Sequence, residues 1–188
     1  MARRLYVRLW AIAHAYRKEP SRIMKQQKGF SLIELLIVVV VIGIIAAIAI
    51  PNILASQRAA NEGAAISSLR TLHGAQMTYQ ATSGQGSFSS TLIDLQSVTM
   101  IDASLASGSK SGYNFVTTAN APSPTEPATF SVGAVPLNTV GITRTGSRNF
   151  CIRTEGVIRY ESDPAQLGNQ ITYVECVDGQ PNVFILNN

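Results

Sequence analysis

Phe30 to Ile50 reads FSLIELLIVVVVIGIIAAIAI, an apolar run carrying a single charged side chain, Glu34. No other feature constrains the fold as strongly. As a helix rising about 1.5 Å per residue, the run spans about 31 Å, the thickness of a bilayer's hydrocarbon core. A helix apolar on every side has no polar face to offer water, so one membrane span is the simplest reading. Charge sets its direction. Eight of the 15 Lys and Arg residues precede Phe30 with one acid, Glu19, whereas the chain from Phe30 onward holds seven bases and ten acids. The positive-inside rule then puts residues 1–29 in the cytoplasm and residues 52–188 on the far side. The same distribution weakens a nucleic-acid reading of the +4 net charge, because the basicity belongs to the N-terminal block. With 46% hydrophobic and 14% charged residues, wholesale disorder is excluded.

A cleaved secretory signal is the competing reading. Ala47-Ile48-Ala49 fits the small-x-small pattern of signal peptidase, and a cut after Ala49 would release a soluble binding protein. Against it, the run exceeds the about 7–15 apolar residues of such signals and bears an acid near its start. A carboxylate at the centre of a bilayer helix costs about 2.5–3.5 kcal/mol. Glu34 lies only about 6 Å along the helix from Phe30, close to the interface, where the cost is smaller. Gly43 and Pro51 punctuate the helix. Gly costs about 1 kcal/mol against Ala, and Pro51 removes the hydrogen bond to the Ala47 carbonyl, so a kink is expected there.

After Pro51 the pattern becomes that of a soluble helix. In residues 52–82, Leu54, Ala65, Leu69, Leu72 and Tyr79 recur on one face, with Arg58, Asn61 and Gln76 near it. Glu62 and Arg70 are assigned to other faces. A continuous helix of about fifty residues from Phe30 is predicted, broken by Ser83-Gly84-Gln85-Gly86-Ser87. Residues 83–188 read as a β-rich head. Thr91 to Leu95 is a helical turn, and Tyr113 to Thr117 alternates as a strand. Ala121 to Pro127 is a Pro-rich loop, and Phe130, Val132 and Ala134 alternate with Thr129, Ser131 and Gly133. Asn149 to Arg153 and Val157 to Tyr160 flank a hairpin turn at Thr154-Glu155-Gly156. Ile171 to Val177 and Val183 to Leu186 supply further β segments. The fold class is α+β: a long helix carrying an antiparallel sheet of about four strands.

The junction Lys28-Gly29-Phe30-Ser31-Leu32-Ile33-Glu34 sets a base and Gly before Phe, and Glu four positions after that Phe, at the mouth of the apolar run. It resembles the cleavage and methylation motif of type IV prepilins and their relatives, and the likeness covers Lys25 to about Tyr79. The resemblance implies a cut between Gly29 and Phe30 by a prepilin peptidase, which then methylates the new N-terminus at Phe30. It further implies an inner-membrane precursor with a cytoplasmic N-terminus. Inner-membrane assembly machinery would build the processed chains into a homopolymeric extracellular filament. Glu34 would pair with the Phe30 amine of a neighbouring subunit, or with its own, and residues between Gly43 and Pro51 would loosen on packing. Within the same superfamily, a type II secretion pseudopilin is the alternative. Met24 to Gly29 forms a short basic leader by itself, so Met24 is read as the start, with residues 1–23 either a mis-assigned start or part of a long leader.

Many pilins carry a disulfide late in the head, which implies a Cys151–Cys176 bond if the head meets an oxidising compartment; two buried thiols are the alternative. Neither catalytic spacing nor phosphate loop is found, so no enzyme, metal or cofactor is expected. His73 reads as a packing or surface residue. Glu161, Asp163, Glu175 and Asp178 read as a solvated acidic edge. Arg144, Arg148, Arg153 and Arg159 read as exposed strand residues, not a nucleic-acid surface, since eight acids share the head.

Overall fold

The computed structural model describes residues 29–177 and 180–186. The basic block before Gly29, with Met24, Lys25 and Lys28, and the acid Asp178 lie outside the described residues. Two compact units divide the chain, the first ending at Ile44 and the second starting at Ile45.

Helix α1 spans Leu32–Ala81, 50 residues, with Pro51 inside it. Its start is set chemically. Ser31 is the residue before the first turn, and its backbone N–H donates to Glu34 Oε2 at 3.2 Å. That is half of a capping box, and it satisfies a donor the helix cannot. The other end closes through the glycine-rich break. The Gly84 N–H returns to the Tyr79 carbonyl at 2.7 Å, and the Gly86 N–H to that of Gln80 at 3.1 Å. Gly84 is required there, since a Cβ would run into the Ser87 carbonyl and the Tyr79 ring.

Two short helices follow. Helix α2 (Leu92–Ser97) is capped by the Thr91 hydroxyl, which accepts from the Asp94 N–H, and α3 (Ala103–Ala106) by Asp102, which accepts from Leu105. The sheet has six antiparallel strands in chain order: β1 (Ser109–Lys110), β2 (Tyr113–Asn120), β3 (Thr129–Pro136), β4 (Asn149–Arg153), β5 (Ile158–Glu161) and β6 (Val183–Ile185). About four were expected. The difference lies at the edges, where β1 has two residues and β6 three, short enough to deny another chain a template. The predicted hairpin sets Ile152 opposite Ile158.

Within the second unit, α1 packs on the inner face of the sheet. Ala65, Leu69 and Leu72 lie against a core containing Phe88, Leu95, Tyr113, Phe130 and Phe150. Polar groups that enter this layer are satisfied. The buried Gln76 amide donates to the Ser89 carbonyl at 2.8 Å and to Thr117 Oγ1 at 3.0 Å. Its own carbonyl accepts the Ser89 N–H at 2.9 Å.

The outer face departs from the sequence reading. Strand β3 was expected to alternate between buried and exposed positions, yet Ser131 and Gly133 are buried as well. The cover is the segment from Gln170 to Cys176. It was read as β from Ile171 to Val177 but forms turns. Its backbone bonds locally, Cys176 N–H to the Thr172 carbonyl at 3.0 Å, so it has no ladder to join. Cys151 on β4 bonds to Cys176 in this segment. With Ile171 the two half-cystines form a second small core. Gly133 is what admits the cover: a Cβ there would collide with the Gln170 side chain.

Candidate functional site in the N-terminal segment

Of the residues singled out by sequence, Gly29 and Phe30 precede α1 and Glu34 lies in its first turn. Gly29 and Phe30 lie in exposed chain without regular secondary structure, Phe30 being 82% exposed. Glu34 folds back across the first turn to the Ser31 N–H, one residue beyond Phe30. The signal for this contact was in the sequence: Ser, two residues, then Glu, ahead of an apolar run.

From Leu32 to Ile50 the large aliphatic side chains are all exposed. A Cβ at Gly43 would meet nothing within 4 Å. The helix continues without interruption through Gly43 and Pro51. Among the described residues one helix is long and apolar enough to cross a membrane. Exposing this much aliphatic surface to water is unfavourable by about 25 cal/mol per Å², so the segment demands lipid or other apolar partners.

The head end of α1 is fixed by an ion pair that the sequence reading missed. Glu62, placed there on an exposed face, is 5% exposed. It accepts from the Ser147 N–H at 2.8 Å and the Ser147 hydroxyl at 2.6 Å. Arg148 donates to its other oxygen through Nε at 2.9 Å and a terminal nitrogen at 2.6 Å. Burial pushes the carboxyl pKa up, but the Ser147 hydroxyl and N–H, with Arg148, outweigh it and hold the value below the ordinary range. The spacing could have revealed it, because 62, 65, 69, 72 and 76 form one unbroken series of three- and four-residue steps.

The arginines are therefore not a free strip. Arg148 is committed to Glu62 and lies 5.1 Å from the Tyr160 ring centroid. Arg159, buried on β5, meets Glu155 at 2.7 Å, and Arg153 stacks 3.9 Å over Tyr173. Exposure was the expectation; Arg159 is instead buried beside Glu155, and Arg148 and Arg153 are half-buried. His73 is a packing residue: its ring lies 5.6 Å from that of Phe130, and Nε2 donates to the Thr154 carbonyl at 3.2 Å. Glu161, Asp163 and Glu175 line one surface cleft. Burial raises the Glu161 pKa, with Asp163 and Glu175 adding to it against the Asn149 hydrogen bond. Among the described residues no group of three or more His, Cys, Asp or Glu could hold a metal ion.

An apolar helix is entered through this junction, and its second half packs on an antiparallel sheet. Residues 24–50 match the family described as the prokaryotic N-terminal methylation motif. The chain is 46% identical over 59 residues to the type IV major pilin protein PilA of Myxococcus xanthus, covering 31% of this chain and 27% of that one. It is 56% identical over 39 residues to the type IV wide pilus major component PilA4 of Thermus thermophilus, 21% and 30% of the two chains. With the type II secretion system core protein G of Klebsiella pneumoniae it shares 33% identity over 57 residues, 30% and 41% of the two. Each match therefore spans well under half of the relative's length. No solved structure matches the chain. The similarity is thus to the N-terminal segments of type IV pilins and of a type II secretion core protein.

Proposed function

We propose that the chain is a prepilin whose product polymerises into a type IV pilus filament. The observation that carries this reading is the junction of residues 24–50 leading into an apolar helical surface that its own head does not cover. The precursor is anchored by residues 30–50 with its N-terminus in the cytoplasm. Cleavage between Gly29 and Phe30 frees an amine at Phe30, which a prepilin peptidase then methylates. In the membrane and in the filament the Glu34 carboxylate needs a cation, since an unpaired buried charge costs several kcal/mol. The Phe30 amine of a neighbouring subunit supplies it and sets the axial register. Apolar helices replace lipid with one another, and Gly43 to Pro51 is the stretch weakest in helical order during packing. The assembly machinery of the inner membrane drives the process.

Intact-mass and N-terminal analysis of material sheared from cell surfaces tests this. A chain beginning at Phe30 and one methyl group heavier than calculated supports it; a chain beginning near Ile50 overturns it in favour of a secreted protein. Glu34→Ala is expected to leave cleavage intact and abolish filaments. The similarity to a secretion core protein favours a second reading, a pseudopilin. That reading predicts the processed chain in the cell envelope and none in the sheared fraction.

A further inference from the structure

Two half-buried bases of the head, Arg58 and Arg144, have no acceptor among the described residues. Lys110, Arg148, Arg153 and Arg159 are each paired with an acid. Competition explains Arg58. Glu62 stands four positions further along α1, where an arginine would ordinarily meet it. Its two oxygens already take four donors from Ser147 and Arg148, which fills a carboxylate. The Nε of Arg58 is left buried without a partner. A donor withdrawn from water in this way calls for an acceptor from outside. Arg144 flanks the same contact. Asn61, on the face of α1 that carries Arg58, donates its amide to the carbonyl of Thr145, the residue after Arg144, at 2.9 Å. Both bases thus belong to the α1 side of the sheet.

The opposite charge gathers on the other face. Side chains alternate along β4, so Arg148 turns to Glu62 on α1 while Asn149 and Cys151 turn outward, Cys151 to the cover. Glu161 on β5 is the register partner of Asn149 and accepts from its amide at 3.1 Å, which places it on that outer face too. Glu161, Asp163 and Glu175 line one cleft there, beside Gln170 and Thr172 of the cover, and no base lines it among the described residues. The carboxylates disfavour one another: after burial, Asp163 and Glu175 are what push the Glu161 pKa up. A guanidinium entering the cleft relieves that repulsion, and its planar fork suits carboxylate oxygens.

Because the sheet stands between the two patches, one head cannot close its bases on its own acids. Two copies can. A contact in which one patch meets a different patch of the next copy repeats from chain to chain and builds a filament. We propose that the Arg58 and Arg144 patch of one processed chain docks on the Glu161, Asp163 and Glu175 cleft of a second copy. This rests on polymerisation of the processed chain, as proposed above, and adds a contact between heads to the packing of residues 30–50. Complementary charge of this kind fixes register and rejects wrong partners.

Carbodiimide coupling, which joins an amine to a carboxylate touching it, tests the contact in sheared filaments. Lys110 is the only lysine from Phe30 onward. Arg144→Lys keeps the charge and adds one amine. The expected product has twice the subunit mass and links the introduced amine to Glu161, Asp163 or Glu175. It should vanish when the filaments are dispersed to monomers in detergent. Lys110 and Asp102, 2.8 Å apart in one chain, couple in both samples and show that the reagent has acted. Links to Asp94 or Glu126, links within one subunit, or no link beyond Lys110 overturn the inference. Reversing both bases, Arg58→Glu with Arg144→Glu, should lower the sheared yield about tenfold, because like charges set across an interface repel. Adding Asp163→Arg and Glu175→Arg should restore most of it. An unrestored yield from chains that still form the Cys151–Cys176 bond overturns the pairing. Wild-type chains that form no filaments overturn the proposed function itself, whereas filaments without the link overturn only this contact.

Discussion

The two halves of α1 are one helix written for two solvents. From Leu32 to Ile50 the helix is aliphatic on every side and every large side chain is exposed. From Asn52 to Ala81 it carries a single buried stripe, and that stripe contains a carboxylate and an amide as well as Leu69 and Leu72. Helix propensity does not account for the first half, since 11 of its 19 residues from Leu32 to Ile50 are Ile or Val, middling helix formers. The difference lies in where the partners come from. The second half finds them within its own chain, down to four donors on Glu62, while the first half leaves its partners to be supplied from outside.

Leu72→Ala should expose this difference most strongly. The position is fully buried, so the full-length chain in detergent should lose about 3–5 kcal/mol in denaturant titration. Ile42→Ala, at a position 59% exposed, should change the same measurement by less than about 0.5 kcal/mol. Equal losses would mean that the first half is also packed within the chain. Converting both Cys151 and Cys176 to Ser should cost about 3 kcal/mol, the entropy of opening that loop. The loss should be accompanied by faster proteolysis within the Gln170 to Cys176 cover, and neither half of α1 should respond.

Glu62→Gln is next, at about 2 kcal/mol, since it strands Arg148, whose side chain is 34% exposed and so partly screened. Its pH dependence carries a definite sign. The Glu62 pKa is lowered from 4.5 in the folded chain, so its stabilisation is complete above that value and fades as pH falls through the folded pKa. The gap between wild type and Glu62→Gln should therefore be flat near neutrality and close on acidification below about pH 4.5. A gap that widened in acid would show that the carboxyl is held in its protonated form. The smallest effect belongs to Thr91→Ala, about 1 kcal/mol for the lost cap on α2, read as faster hydrogen exchange at Asp94.

Much of this was legible in the residues because local rules and tertiary packing agree. The apolar run, the fifty-residue helix, its break at Ser83 to Ser87 and the hairpin at Thr154 to Gly156 each follow from periodicity or turn chemistry. The head's outer face was less legible. Nothing local in Gln170 to Cys176 tells a strand from a lid; what decides is Gly133, whose missing side chain makes room for Gln170 at a separation of 37 positions. Glu62 was misread for a related reason. A charged residue was assigned to water by type, although its place in the stripe called for burial, and the partner that makes burial tolerable lies 86 residues away. At the N-terminus the bond from the Ser31 N–H to Glu34 was overlooked.

The Cys151–Cys176 bond has a mechanical consequence. It joins the fourth strand to the lid across a sequence separation of 25 residues. If the head were pulled from its ends, the covalent link would carry the tension and the enclosed segment would contribute no length. Reduced, the same segment could pay out about 80–90 Å of chain. Oxidation thus sets how far a loaded head can stretch before its backbone is taut.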